Sequence, residues 1–216
     1  SLVLSYSAKP KPDGVKMFRK KAISLIFAAF FLFALNGGAS AALLHLSAGI
    51  PVSHSFSNFK ITNSDADIDV TVEADGVSGT LMHASLILLP GLGVESYETK
   101  LKASDLDLLD GAKLKTTMYD LFYLLPVPII NLSFGVGLGS LELVCDDCSD
   151  VWYTGAGAAY QWFVQGGFPI IPLFDIHVSY HSITGTMLAK QDGKDAGYED
   201  LDLSGSMMAV GVAFTF

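Results

Sequence analysis

Beyond residue 41 this sequence has no arginine and only seven lysines, Lys60, Lys100, Lys102, Lys113, Lys115, Lys190 and Lys194, against 21 Asp and Glu, a net charge of −14. So acidic a chain excludes nucleic acid as a partner, because phosphate binding needs a basic face. Cysteine is nearly absent as well. Cys145 and Cys148 are the only pair, with no further soft ligand in sequence reach for a metal site and no βαβ pattern for a thioredoxin-like redox pair. In an exported chain such a pair reads as a local disulfide. No metal site and no cofactor is read. There is also no long apolar run past residue 41. The longest, Leu121–Ile130, is interrupted by Pro126 and Pro128, and a spanning helix needs about 20 apolar residues. Yet mean hydropathy is +0.44 and half of the residues are apolar. The apolar material is dispersed, which leaves a closed β-barrel as the route into lipid.

What is present begins with a leader. Arg19, Lys20 and Lys21 precede the apolar stretch Ala22–Leu35, Asn36-Gly37-Gly38 breaks it, and Ala39-Ser40-Ala41 supplies small residues for cleavage. This pattern is a secretory signal peptide over 17–41, with cleavage between Ala41 and Ala42. Residues 1–16 read as sequence upstream of a start at Met17, without structure of their own. Residues 42–216 form one barrel domain.

The last stretch sets the pattern. Met208, Val210, Val212, Phe214 and Phe216 alternate with Ala209, Gly211, Ala213 and Thr215. The period of two marks a strand with one large apolar face and one small face. Three apolar stretches containing proline recur at Pro90, Pro126 and Pro169, spaced by 36 and 43 residues and followed by 47 residues to Phe216. Proline lacks a ladder donor, so each is read as a tight turn. Each interval holds two strands of about 10 residues and one longer loop, which predicts eight strands. Their approximate bounds are 43–53, a second ending near 90, 92–101, 115–125, 130–144, 151–168, a seventh from 174, and 204–216. The third strand alternates poorly after Val94 and its faces are not assigned.

The loops opposite the turns, about 54–78, 103–112, 145–150 and 186–203, are acidic and are expected to face outward. Asp120, Asn131, Gln161, Asp175, His177, Ser179 and His181 fall on the polar face and are expected to form an interior polar network, since lipid tolerates only the other face. Ser53 falls on that inner face too. Tyr123, Trp152, Tyr160, Trp162 and Tyr180 are candidates for an interface belt.

This ending resembles the C-terminal insertion signal of bacterial outer-membrane β-barrels, with Phe216, Phe214, Val212, Val210 and Met208 in the alternating positions. The whole of 42–216 resembles the small barrels of OmpA, OmpX and OmpW type, within a subfamily of no assigned activity. The resemblance implies an all-β, eight-stranded antiparallel up-and-down transmembrane barrel in the bacterial outer membrane. It also implies contact with lipid and lipopolysaccharide, insertion by the barrel-assembly machinery, and a monomer. The leading expectation is a non-enzymatic structural or surface-interaction protein working through its acidic loops. The alternative is a narrow OmpW-like conduit for small hydrophobic molecules, with Gly135, Gly137, Gly139, Gly155 and Gly157 leaving room for a cavity. A third reading starts from His177-Val178-Ser179, which resembles the His-x-Ser pair of outer-membrane lipid A deacylases. Both residues fall on the inner face, whereas that enzyme's site faces lipid, and no Glu follows at comparable spacing.

Overall fold

The computed structural model describes residues 44–63, 68–86, 89–103, 111–125, 130–144, 156–171, 173–187, 190–191, 194–195 and 200–216. The leader with its Ala41–Ala42 junction, the Cys145–Cys148 pair, Trp152 and Gly155 lie outside the described residues. The strands are β1 (Leu44–Phe56), β2 (Lys60–Asn63), β3 (Ile68–Leu86), β4 (Gly91–Ala103), β5 (Lys113–Leu125), β6 (Asn131–Val144), β7 (Ala156–Ile171), β8 (Phe174–Met187), β9 (Lys190–Gln191), β10 (Lys194–Asp195), β11 (Leu201–Asp202) and β12 (Gly205–Thr215).

Eight of these close a barrel. β3, β4, β5, β6, β7, β8 and β12 pair antiparallel in chain order, and β1 pairs with both β12 and β3. The seam is tied at the very end of the chain. The Leu44 N–H donates to the Phe216 carbonyl at 3.0 Å, and the Phe216 N–H donates to the Leu44 carbonyl at 2.9 Å. Closure gives these backbone groups partners without water, the condition for strands that cross lipid. The barrel strands run from 11 to 19 residues, at or above the 9–11 or so that a tilted strand needs to cross a bilayer.

The side chains are distributed inside out. Leu138 is 71% exposed and Ile50 55% exposed, while Glu95 is 0% and Asp120 3% exposed. The outward apolar band runs through Leu46, Ile50, Leu92, Leu121, Phe134, Val136, Leu138, Trp162, Val178, Val210 and Phe214, all exposed. Tyr123, Tyr160, Trp162 and Tyr180 also face out, and Trp162 packs against Tyr180 with ring centres 5.8 Å apart. At its upper border the band gives way to an outward row of small residues in register: Thr80, Ser96, Thr117, Ser140 and Ala158.

Three details depart from the alternation rule, each at an irregularity in pairing. Ser53, expected inside, is exposed. The register shifts between Pro51 and Ser53, because Pro51 has no N–H for the ladder and extra chain must be absorbed there. Pairing of β1 with β3 reaches only to Gly49, so the proline sits where one ladder stops. The acidic stretch 54–78, expected as a loop, is largely strand. β1 continues to Phe56, β2 follows, and β3 begins at Ile68. A bulge between Ala74 and Val77, with Gly76 at φ 123°, shifts the parity so that Val72 and Leu81 both point inward. Pro169, expected in a turn, is paired with Asp175 at the end of β7, beside a further register shift. The turn comes just after it, where Leu173 takes φ 73°.

The interior is filled in layers. Above lies an apolar plug of Phe59, Val72, Leu101, Leu114, Met118, Leu141, Met187, Leu201 and Leu203. A second cluster of Leu81, Tyr97, Ile183, Met207 and Ala209 continues it. Below these the wall turns polar.

Candidate functional site

The polar layer is built by inward positions of five strands. β3 supplies His83, β4 Glu95, β5 Asp120, β7 Gln161, and β8 Ser179 and His181, all buried. The register sets them side by side: His83 lies opposite Gly93, Gly93 opposite Asp120, Asp120 opposite Gly137, and Gly137 opposite Gln161. The two glycines between them are what make the cluster possible. A Cβ at Gly93 would strike the His83 ring, and one at Gly137 would strike Asp120 Oδ1.

One amide holds both carboxylates. Gln161 Nε2 donates to Glu95 Oε2 at 3.0 Å and to Asp120 Oδ1 at 2.8 Å. The second oxygen of each acid then turns to His83. His83 Nε2 is 3.5 Å from Glu95 Oε1 and 3.6 Å from Asp120 Oδ2. On the other side of Glu95 Oε1 stands His181 Nδ1 at 3.3 Å, and His181 Nε2 shares a 2.8 Å hydrogen bond with Ser179 Oγ. Phe163 locks both imidazoles: it stacks on His181 with centres 5.0 Å apart and contacts His83 at 5.3 Å, while Phe122 meets His83 edge-on at 5.4 Å.

A second polar group lies toward the turn end. Asn131 Nδ2 donates to Asp175 Oδ2, and His45 Nδ1 shares a 3.1 Å hydrogen bond with Thr215 Oγ1. Ser133, Gln165 and His177 are buried there as well. Of the residues expected inside, Asp120, Gln161, Ser179 and His181 therefore meet around one centre. Asn131, Asp175 and His177 belong to the lower group. His83 and Glu95 complete the centre, and Glu95 was not singled out by alternation because its strand carries polar residues on both faces. The outward Leu92 and Val94 by themselves turn Gly93 and Glu95 inward.

Ser179, His181 and Glu95 stand in the order of a nucleophile, a base and an orienting acid. Ser179 is 3% exposed and His181 0%, so the hydroxyl meets packed wall where a substrate would have to sit. The spaces beside the glycines are also taken. A Cβ at Gly135 would meet Phe163 and Phe122, one at Gly139 Met118 and the Thr117 carbonyl, and one at Gly157 the Thr186 carbonyl and Met187. Of the glycines along which a cavity is expected, Gly135, Gly137, Gly139 and Gly157 each have atoms of neighbouring strands in the space beside them.

Above the outward apolar band lies a charged collar. Four of the seven lysines beyond residue 41, Lys100 and Lys102 of β4 and Lys113 and Lys115 of β5, stand on its outer face. Glu73 is opposite Lys102, Glu98 opposite Lys115, and Lys115 opposite Glu142. Lys100 is opposite Lys113, a like-charge pair that costs stability unless an anion lies between them.

No family model matches the sequence, and no curated protein is similar to it. Among solved structures, the outer membrane protein OprG from Pseudomonas aeruginosa is similar with a TM-score of 0.53 at 11% identity, over 83% of this chain and 98% of that one. Neisserial surface protein A follows with a TM-score of 0.46 at 16% identity, over 83% and 100% of the two chains. At 11% identity the likeness to OprG speaks for the fold alone, and it agrees with the closed ring of strands described above. This chain is folded as a small eight-stranded outer-membrane β-barrel.

Proposed function

We propose that this chain is an integral protein of the bacterial outer membrane, exported by a cleaved leader, monomeric and without catalytic activity. It works at its outer rim on the lipid surface and through its acidic loops. The observation that carries this reading is the inversion of polarity: a continuous apolar band outside, carboxylates and imidazoles inside. The aromatic end of the chain, Phe216 with Phe214, is what the assembly machinery would engage, and it finishes paired to β1.

The lysine collar names the lipid partner by its chemistry. Four cations above the apolar band face the level of headgroup phosphates, and each lysine near an anionic surface is worth about 1 kcal/mol. Lipopolysaccharide supplies such phosphates in the outer leaflet. The close packing beside Gly135, Gly137, Gly139 and Gly157 speaks against a conduit, and the enclosed Ser179 against lipid modification.

The test is binding of the refolded protein to lipopolysaccharide in mixed micelles at low and high salt. Binding that weakens with salt and falls roughly tenfold or more in the variant Lys100→Gln, Lys102→Gln, Lys113→Gln, Lys115→Gln is expected. Equal binding by that variant would refute the collar's role.

A further inference from the structure

We propose that His83, Glu95 and Asp120 form a binding site for a first-row divalent cation, with zinc the fitting ion, that staples β3, β4 and β5 inside the barrel.

The geometry is the first argument. His83 Nε2, a Glu95 oxygen and an Asp120 oxygen all lie within 4.8 Å of one another. The 3.5 and 3.6 Å separations from His83 fit poorly with hydrogen bonding, and His83 Nε2, Glu95 Oε1 and Asp120 Oδ2 make no hydrogen bond. Ligands placed about 2.0–2.2 Å from one tetrahedral cation are about 3.3–3.6 Å apart. Three atoms without a hydrogen bond, on side chains no more than 6% exposed, thus gather within 4.8 Å of one another, and the two separations from His83 have the spacing a shared ion imposes.

Charge is the second argument. Two carboxylates enclosed at this depth need compensating positive charge, since a buried unpaired charge costs several kcal/mol. A divalent cation neutralises both at once. One imidazole with two carboxylates suits zinc or manganese, and the imidazole favours zinc.

The supporting contacts are the third. The oxygen of each acid that does not face His83 is held by the single Gln161 amide. The His83 ring is fixed by Phe122 and Phe163, and His181 Nδ1 steadies Glu95 Oε1 from outside the ligand set. Outer partners of this kind orient metal ligands and are part of a site's affinity. The wall on the turn side of the cluster is polar as well, with His45, Gln165, Asp175 and His177 buried there.

The experiment uses the refolded chain in detergent, loaded with Zn²⁺, desalted, and measured for bound zinc and by X-ray absorption. One zinc per chain with an imidazole among its nearest ligands is expected. Asp120→Asn and Glu95→Gln should each lower zinc affinity by more than the roughly 10–100-fold that loss of an outer partner costs. Glu142→Gln, on the exposed rim, should keep it. Three results would each overturn the proposal: no stoichiometric zinc in the unaltered barrel, equal zinc in Asp120→Asn, or a zinc spectrum lacking imidazole. Should the variants not fold, the spectrum of the unaltered protein decides, because zinc held only by the acidic loops would show no imidazole.

Discussion

Glycine at single positions decides what the interior can hold. Gly139 is flanked by the Thr117 carbonyl and the Met118 sulfur, both within the space a Cβ would occupy, whereas Gly166 faces outward with nothing within 4 Å. Gly139→Ala is therefore expected to destabilise the barrel by about 1–3 kcal/mol through overpacking. Gly166→Ala should be neutral or stabilising by about 0.4–1 kcal/mol, since it restricts only the unfolded chain. Urea unfolding in lipid vesicles, followed by tryptophan fluorescence, checks both, and equal effects of the two changes would contradict the packing described. At this scale the sequence was informative wherever a strand keeps one apolar face. Tyr119, Leu121 and Tyr123 turn Asp120 inward, and Ile176, Val178 and Tyr180 do the same for Asp175, His177 and Ser179. It was silent at Glu95, because Ser96, Glu98 and Lys100 on the outer face are as polar as Glu95 and Thr99 on the inner one. The upper part of β4 leaves the apolar band for the collar, and hydropathy stops reporting faces there.

Among the elements, β12 carries the strictest division of labour. Val210 lies opposite Ile50 of β1 and Val178 of β8, all three outward and exposed. Val210→Lys would place a charge in the middle of that apolar row and should destabilise the membrane-inserted barrel by about 2–4 kcal/mol. Ser206→Lys, at the polar border of the same strand, should cost about 0–1 kcal/mol. Refolding equilibria in phospholipid vesicles give both numbers, and a similar cost at the two positions would mean that the outer face does not meet hydrocarbon. The strands themselves were legible to within a few residues, since a period of two over 10 residues is hard to imitate. The bulges were not. Pro51 and Gly76 each shift the inward parity of their strand, and an extra residue leaves no mark in a simple alternation. This is why the stretch before Leu81 reads as an acidic loop and folds as strand, carrying Glu73 and Asp75 up beyond the apolar band.

For the whole molecule the central claim is closure. β1 holds β12 on one edge and β3 on the other, and the collar, the polar layer and the cation site all depend on that ring. An acidic chain with so apolar an exterior has no soluble way to satisfy both properties, and the ring in lipid satisfies both. Migration on a denaturing gel with and without boiling tests this most directly. The refolded protein should run as a compact, faster band when unheated and shift to its full apparent mass of about 23.0 kDa, or less if the leader is removed, after boiling. A single band at one position under both conditions, from protein shown to be refolded in detergent, would contradict it.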